Sequence, residues 1–470
     1  MKKTKIVATI GPRTESEEML GKLVEAGMNV VRLNFSHGDF AEHQMRVDNI
    51  RKVMKKTGKT VAILQDLGGP KIRIGNFKTE SVTLKVGQSF TLTTDKIEGD
   101  ETIVSVNYPL LPKEVMKGHI IFMHDGKKKL EVKEVKGNNI VCKVLVGGEI
   151  RGKRGLNMPD SDLSVKSLTD KDRKDLEFGL KNDVDYIALS FVRRPSDIVE
   201  LREILKKRKS NAGIIAKIET PQAISNIDEI IALADGIMVA RGDLAIEVPF
   251  QKVPSFQKMM IKKCNDLGKP VITATQMLES MIKSPVATRA EVSDIANAIL
   301  DGTDAVMLSE ETTLGDFPVE AVQTMRTIAL EEEENYPERA IVRIGRSGET
   351  KIADSITSSV VKTARDVGAK FIVALTDSGF TARMIARHKP NAMILALSPN
   401  VRTSQKLSLS FGCTAVTVQR YKTLDDVFKI VKEYGIKEKL VKKGDKIVIA
   451  AGVPFNTKGL STNLLVVQTV

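Results

Sequence analysis

Eight short β-branched runs, each followed by a helix-forming segment, constrain this chain more than any other feature. They are KIVATIG (5–11), NVVRLNFS (29–36), TVAILQDL (60–67), DYIALSFV (185–192), GIIAKIET (213–220), GIMVARGD (236–243), PVITATQM (270–277) and DAVMLSEE (304–311). Strands alternating with helices build parallel sheets, and eight such units predict a (β/α)8 barrel, the TIM barrel. Helix starts are marked locally: Thr14 with Glu17 forms a capping-box pattern, and Thr169 opens a helix whose inner face uses Leu176, Phe178 and Leu180.

The repeat is interrupted once. Between the third and fourth runs lie alternating segments such as SVTLKV, SFTLTT, HIIFM and NNIVCKVLV, separated by Gly, Asn and Asp. These read as an inserted all-β lid domain, residues 70–166, with Pro70 and Pro159 as hinge points. The catalytic barrel then comprises 1–69 and 167–342. A charged linker, EEEENYPERAIVRIGRSGET, leads to further strands KFIVALT, AMILALS, CTAVTVQ, DKIVIAAG and LLVVQTV, which predict a C-terminal three-layer α/β domain over 343–470.

Composition narrows the function classes. The net charge of +13 admits an anionic partner, yet the chain has no tryptophan and 4% aromatic residues, and its basic run KKRK (206–209) sits among helix formers like a solvated helix face. A nucleic-acid partner is therefore not expected, and neither is a membrane. The apolar run after MKKTK is five residues long, too short for a span or signal, and three distant cysteines fit neither disulfides nor a metal cluster. A soluble cytoplasmic protein is expected.

In barrels of this kind the active site lies at the carboxyl ends of the strands. There the eight runs supply Arg32, Asn34 and Ser36; Asp66; Ser190; Lys217 and Glu219; Asp243; Thr275; and Ser309. Strand parity sets Arg32, Asn34 and Ser36 on one face and Val31, Leu33 and Phe35 on the other. By the same parity Lys217 and Glu219 look into a polar chamber while Ile214, Ala216 and Ile218 pack against helices. Glu219 and Asp243 are hard oxygen donors suited to Mg2+ or Mn2+, and Lys217 and Arg32 suit a phosphoryl group in transit. No histidine or cysteine joins the set, so a triad nucleophile is not expected. The residues favour metal-assisted phosphoryl transfer.

The stretches TKIVATIGP, AGMNVVRLNFSHG, LQDLGGPKIR, SFVRRPSDI, IIAKIE, DGIMVARGDL, PVITATQMLESMI, TRAEVSDIANAILDGTDAVMLSEET, TDSGFTAR and AGVPF, in this order, resemble the pyruvate kinase family along nearly the whole chain. The resemblance implies phosphoryl transfer from phosphoenolpyruvate to ADP, giving ATP and, after protonation of the enolate, pyruvate. It implies Lys217 as the group on the transferring phosphoryl, Glu219 and Asp243 as divalent-metal ligands, and Arg32 on substrate phosphate. Substrate carboxylate would meet the N–H groups of Gly242 and Asp243 and the Thr275 hydroxyl, with Thr275 and Ser309 on the route of the proton. Nucleotide contacts are implied for Arg73, His37, Asn34 and Arg154.

Departures from the family pattern carry their own expectations. Lys71 stands where potassium-requiring members have glutamate, next to the monovalent-ion positions Asn34, Ser36, Asp66 and the Leu67 carbonyl. Its ammonium is expected to replace potassium. Ala245, Glu310 and His124 also depart. In the last domain TDSGFTAR, with Thr376, Ser378, Gly379 and Thr381, resembles a phosphate-binding loop for a sugar-phosphate or nucleotide effector, and AGVPFNTKGLSTN its covering loop. A homotetramer is expected from the family. Two other readings stay open at this level: a different barrel enzyme acting on phosphoenolpyruvate or pyruvate, and a non-catalytic basic binding protein on the same scaffold.

Overall fold

The computed structural model describes residues 1–336, 351–438, 440–455, 457 and 461–470. The expected boundary at 342/343 and most of the NTKG segment lie outside these residues. Eight parallel strands close into a barrel: Lys5–Thr9, Val30–Asn34, Ala62–Asp66, Tyr186–Leu189, Gly213–Ile218, Gly236–Ala240, Val271–Ala274 and Ala305–Leu308. The first pairs with the eighth, Lys5 opposite Ala305, and so closes the ring. Parity sorts the side chains into two cores. Val30, Leu64, Ala188, Ile215, Met238 and Ile272 fill the interior, whereas Val31, Leu33, Ile214, Ala216 and Ile218 pack outward under the helices. A one-residue slip would exchange the two sets, so burial on both faces fixes the register.

One local expectation is corrected. The first helix, Glu17–Ala26, is capped by Ser16, which accepts from Met19 N at 3.2 Å. Thr14 instead donates to Thr312 O at 2.6 Å, tying the first loop to the turn after the eighth strand. The Thr169 capping box forms with Asp172 as its third residue, and Leu176 is buried in the core with Phe178 and Leu180 packed beside it.

The insertion between the third barrel strand and helix Asp170–Lys181 is built of strands, with one departure from the all-β expectation, the short helical turn Leu111–Glu114. It holds a six-stranded sheet and a two-stranded pair, Ser81–Leu84 with Gly148–Arg151, around Phe90, Leu92, Ile121, Leu130, Val132 and Ile140. The C-terminal unit is a five-stranded sheet in which Cys413–Thr417, Met393–Ser398, Phe371–Leu375 and Lys446–Ala451 run parallel and Leu464–Thr469 is an antiparallel edge. Helix Ile352–Asp366 covers one face and Leu424–Lys437 the other, giving the three layers. This unit seals the barrel from below, because Leu409 joins the interior core of the barrel itself.

Candidate active site

At the carboxyl end of the barrel a buried charge network forms around Lys217. Its ammonium lies 2.9 Å from Glu219 Oε1 and 3.3 Å from Asp66 Oδ1, and donates to Ser190 Oγ at 2.6 Å. Arg32 donates from Nε to Asp66 Oδ2 at 2.7 Å and from Nη1 to Thr9 Oγ1 at 2.9 Å. Asp66 and Glu219 are each 1% exposed, so two carboxylates and two cations share a volume with little water. Burial alone lifts the Asp66 carboxyl, but Lys217 and Arg32 outweigh it and hold it below its ordinary value. Burial opposes the Lys217 charge, yet Asp66 and Glu219 raise its pKa above that of a free lysine. Glu219 goes the other way: burial raises its carboxyl, and Asp243 raises it further against the pull of Lys217.

The two oxygens of the Glu219 carboxylate are unequally satisfied. Oε2 accepts from Phe191 N at 2.8 Å, whereas Oε1 is ion-paired but accepts no well-aligned hydrogen bond. A buried, incompletely satisfied carboxylate beside a second acid, Asp243, fits a hard divalent cation. Among the described residues no three His, Cys, Asp or Glu side chains group as a metal site. A cation here would be held by two protein carboxylates, with its other positions left to water and substrate.

Next to this network the sixth and seventh strands end together. Helix Arg241–Glu247 starts where the sixth strand stops, so Gly242 and Asp243 sit in its first turn. Gly242 N donates to Thr275 Oγ1 at 2.8 Å, and the Thr275 hydroxyl donates to Ala274 O at 2.7 Å. The anion-binding donors expected from the sequence are thus adjacent and partly satisfy one another. Ser309 N donates to Glu311 Oε2 at 2.7 Å, and Glu311 also accepts from Leu278 N, which fixes the turn after the eighth strand.

A cleft of about 1470 Å3 separates this rim from the inserted domain. Gly242, Asp243, Thr275, Ser309 and Glu310 line one wall and Lys71, Phe122, Asp125 and Lys127 the other. Glu310 therefore faces the cleft, and nothing in the structure explains the added negative charge. Lys71 is half-buried, its Cε lying against Gly155, and makes no ion pair among the described residues. Arg73 donates to Lys153 O at 3.1 Å, and Arg154 keeps a buried Nε without a partner. Arg73, Arg154 and Lys71 lie close in the inserted domain, but among the described residues no hydrogen bond or ion pair joins them to the barrel network.

The positions expected from the sequence to hold a monovalent ion are partly used within the protein. Asn34 Oδ1 accepts from Ser36 N at 3.1 Å, and the Leu67 carbonyl accepts from Ser190 Oγ at 2.7 Å. His37 is exposed beyond them, its carbonyl 3.0 Å from His43 Nε2. Gly69, at φ 67° and with Ser190 Cβ where its own Cβ would stand, lets the chain leave the barrel against the fourth strand. In the last domain Ser378 is exposed, but Thr376 and Thr381 are buried and Thr381 Oγ1 meets Thr462 Oγ1 at 2.8 Å. That turn therefore presents a single open hydroxyl.

Sequence reasoning passed over two groups. Arg241 and Asp294 pair at 2.7 Å beside Thr275, from positions 53 residues apart that no local pattern connects. Glu247 accepts from Asn157 Nδ2 at 2.8 Å, which ties the inserted domain to the barrel. Burial pushes the Glu247 carboxyl up to about 7, against hydrogen bonds from Asn157 and the Met158 backbone. The sign follows: a carboxyl raised in the folded state binds protons that the unfolded chain releases, so stability is lost as pH climbs from about 4.5 to about 7. Glu247→Gln keeps the acceptor and removes the charge. It is expected to raise stability by about 1 to 3 kcal/mol at pH 8 and by little at pH 5, read from thermal unfolding at both. Equal shifts at the two pH values would contradict the assignment.

Fold, cleft and charge network define a phosphotransferase built on a TIM barrel. Residues 1–322 match the family description "Pyruvate kinase, barrel domain" and residues 354–468 match "Pyruvate kinase, alpha/beta domain". The chain is 48% identical to a pyruvate kinase of Staphylococcus saprophyticus, covering 100% of this chain and 81% of that one. It is 47% identical to a pyruvate kinase of Geobacillus stearothermophilus, covering 100% and 80%. A crystal structure of a pyruvate kinase from Cryptosporidium parvum superposes with a TM-score of 0.95 at 37% identity, over 100% of this chain and 96% of that one. The chain belongs to the pyruvate kinase family. No helix among the described residues is long and apolar enough to cross a membrane.

Proposed function

We propose that this protein transfers the phosphoryl group of phosphoenolpyruvate to ADP with Mg2+ or Mn2+ held by Glu219 and Asp243, and that it does so without potassium. The observation that carries the reading is the convergence of Lys217 on Glu219 and Asp66 at 2.9 and 3.3 Å, with Arg32 on the same Asp66 carboxylate, at the carboxyl end of the barrel. Lys217 and Arg32 neutralise charge on the phosphoryl group as it leaves one oxygen for another. A divalent ion, when bound, supplies further neutralisation of substrate oxygens. Gly242, Asp243 and Thr275 are the donors for the substrate carboxylate, which would take over the bonds that Gly242 N makes to Thr275 Oγ1 and the Thr275 hydroxyl makes to Ala274 O, and Thr275 and Ser309 serve the route of the proton to the enolate carbon. Arg73, Arg154, His37 and Asn34 serve the nucleotide.

Independence from potassium is argued from Lys71. Lys71 lines the cleft and makes no ion pair among the described residues, and the Leu67 carbonyl accepts from Ser190 within the protein. A free ammonium on the lid side of the cleft supplies the monovalent charge near bound phosphate. A homotetramer in the cytoplasm, with an effector site at Ser378 and its neighbours, completes the proposal.

One coupled assay of pyruvate release tests it. Turnover requires ADP and a divalent ion, stops with a chelator, and survives replacement of potassium by tetramethylammonium. Loss of nearly all turnover in tetramethylammonium would remove the Lys71 argument, and turnover persisting in chelator would remove the metal role of Glu219 and Asp243.

A further inference from the structure

The seventh strand ends in backbone that side chains resist. Thr275 has φ 71° and Gln276 φ 55°, two consecutive left-handed residues, the first of them β-branched. Such conformations cost free energy and persist only where the surroundings over-determine them. Here the surroundings are one guanidinium. Arg241 Nη2 donates to Thr275 O at 2.6 Å and reaches Met277 Sδ at 2.8 Å, while Nε donates to Ala274 O at 3.2 Å. Nη1 is anchored to Asp294 Oδ1 at 2.7 Å and to Gln257 Oε1 at 3.5 Å. The neighbouring residue closes the arrangement, since Gly242 N donates to Thr275 Oγ1. Two consecutive residues thus grip both the carbonyl and the hydroxyl of Thr275.

We propose that Arg241, oriented by Asp294, is a positioning residue that holds the Thr275–Gln276 backbone left-handed and thereby keeps Thr275 in the cleft wall beside Gly242 and Asp243. Arg241 touches no reacting atom. Its side chain is 12% exposed and its donors are directed to protein acceptors, so its influence on turnover passes through Thr275. Lysine cannot replace it, because one ammonium cannot serve two adjacent carbonyls and a carboxylate with the geometry of a planar fork. The inference rests on the reading of Thr275 given above, and its test separates the two.

The experiment is a double-mutant cycle on the full chain with phosphoenolpyruvate, ADP and Mg2+. Thr275→Ala reports on Thr275 itself; Arg241→Lys and Asp294→Asn each loosen the clamp from a different end. Each clamp variant is expected to lower kcat between about tenfold and a hundredfold, the scale of a misplaced group, with a smaller change in the KM for ADP than for phosphoenolpyruvate. In the Thr275→Ala background the same changes are expected to lower kcat no further. Solvent deuterium exchange into the methyl group of pyruvate, followed by NMR, should slow in parallel in all three single variants. Additive losses in the cycle, or clamp variants with parental kcat, would overturn the positioning role. A Thr275→Ala enzyme with parental kcat and exchange would overturn the reading of Thr275 instead. Should Arg241→Lys not fold, Asp294→Asn carries the cycle alone, because it keeps the shape of the anchor and removes only its charge.

Discussion

Replacing Lys217 with methionine is expected to reduce kcat by about a thousandfold or more, the scale associated with losing a preorganised charge on a transferring phosphoryl group. The methionine keeps the aliphatic stem, and on the sequence alone the fold should be indifferent to the change. The structure adds a second effect. Lys217 compensates Asp66 and Glu219, which are each 1% exposed; without it Arg32 still pairs with Asp66, but Glu219 keeps no ion pair among the described residues and feels the field of Arg193. Removing one partner of a buried ion pair costs about 3 to 5 kcal/mol. The variant should therefore melt several degrees lower in chelator, and added Mg2+ should recover part of that loss if Glu219 and Asp243 bind it. Turnover within tenfold of the parent would show that the ammonium is structural. A melting temperature indifferent to both the substitution and Mg2+ would show that the buried carboxylates are stabilised by something else.

The fate of each expectation follows the range of the interaction behind it. Strand parity is a property of neighbours two apart, so the split between Lys217 with Glu219 and Ile214 with Ala216 could be read directly. The Thr169 cap was legible for the same reason. The Thr14 cap was not, because its hydroxyl is taken by Thr312 O, a partner 298 residues away. Arg241 stands inside a stretch that attracted notice for Asp243, yet its role depends on Asp294 and on the strained backbone of Thr275, neither of which has a sequence signature. Thr376 and Thr381 were legible as hydroxyls near a glycine; their burial is set by packing against other segments of the last domain.

The joint between the barrel and the C-terminal unit is the clearest case of structure that the chain order conceals. Asp304, at the start of the eighth strand, accepts from Val271 N and Phe411 N at 3.1 Å each. Its Oδ1 lies 3.0 Å from Lys389 Nζ, and that ammonium stands 4.8 Å from the Phe411 ring centroid. Both charges are buried, and Leu409 closes the barrel interior beside them. Lys389→Met is accordingly expected to destabilise the protein by about 3 to 5 kcal/mol, because Asp304 keeps its charge and loses its ion pair with Lys389. Adding Asp304→Asn should return only part of this. The amide relieves the charge but can satisfy just one of the two N–H groups that the carboxylate now serves with separate oxygens. Lys389 follows helix Phe380–Ala386, which begins at Gly379 in the TDSGFTAR turn, and Asp304 leads through the eighth strand to Ser309. The ion pair thus joins the amino end of the eighth strand to the segment just after the helix that this turn opens. Thermal unfolding of the parent, the single variant and the double variant decides the matter: a single variant that melts with the parent would mean that the joint is held by apolar packing around Leu409 and not by charge.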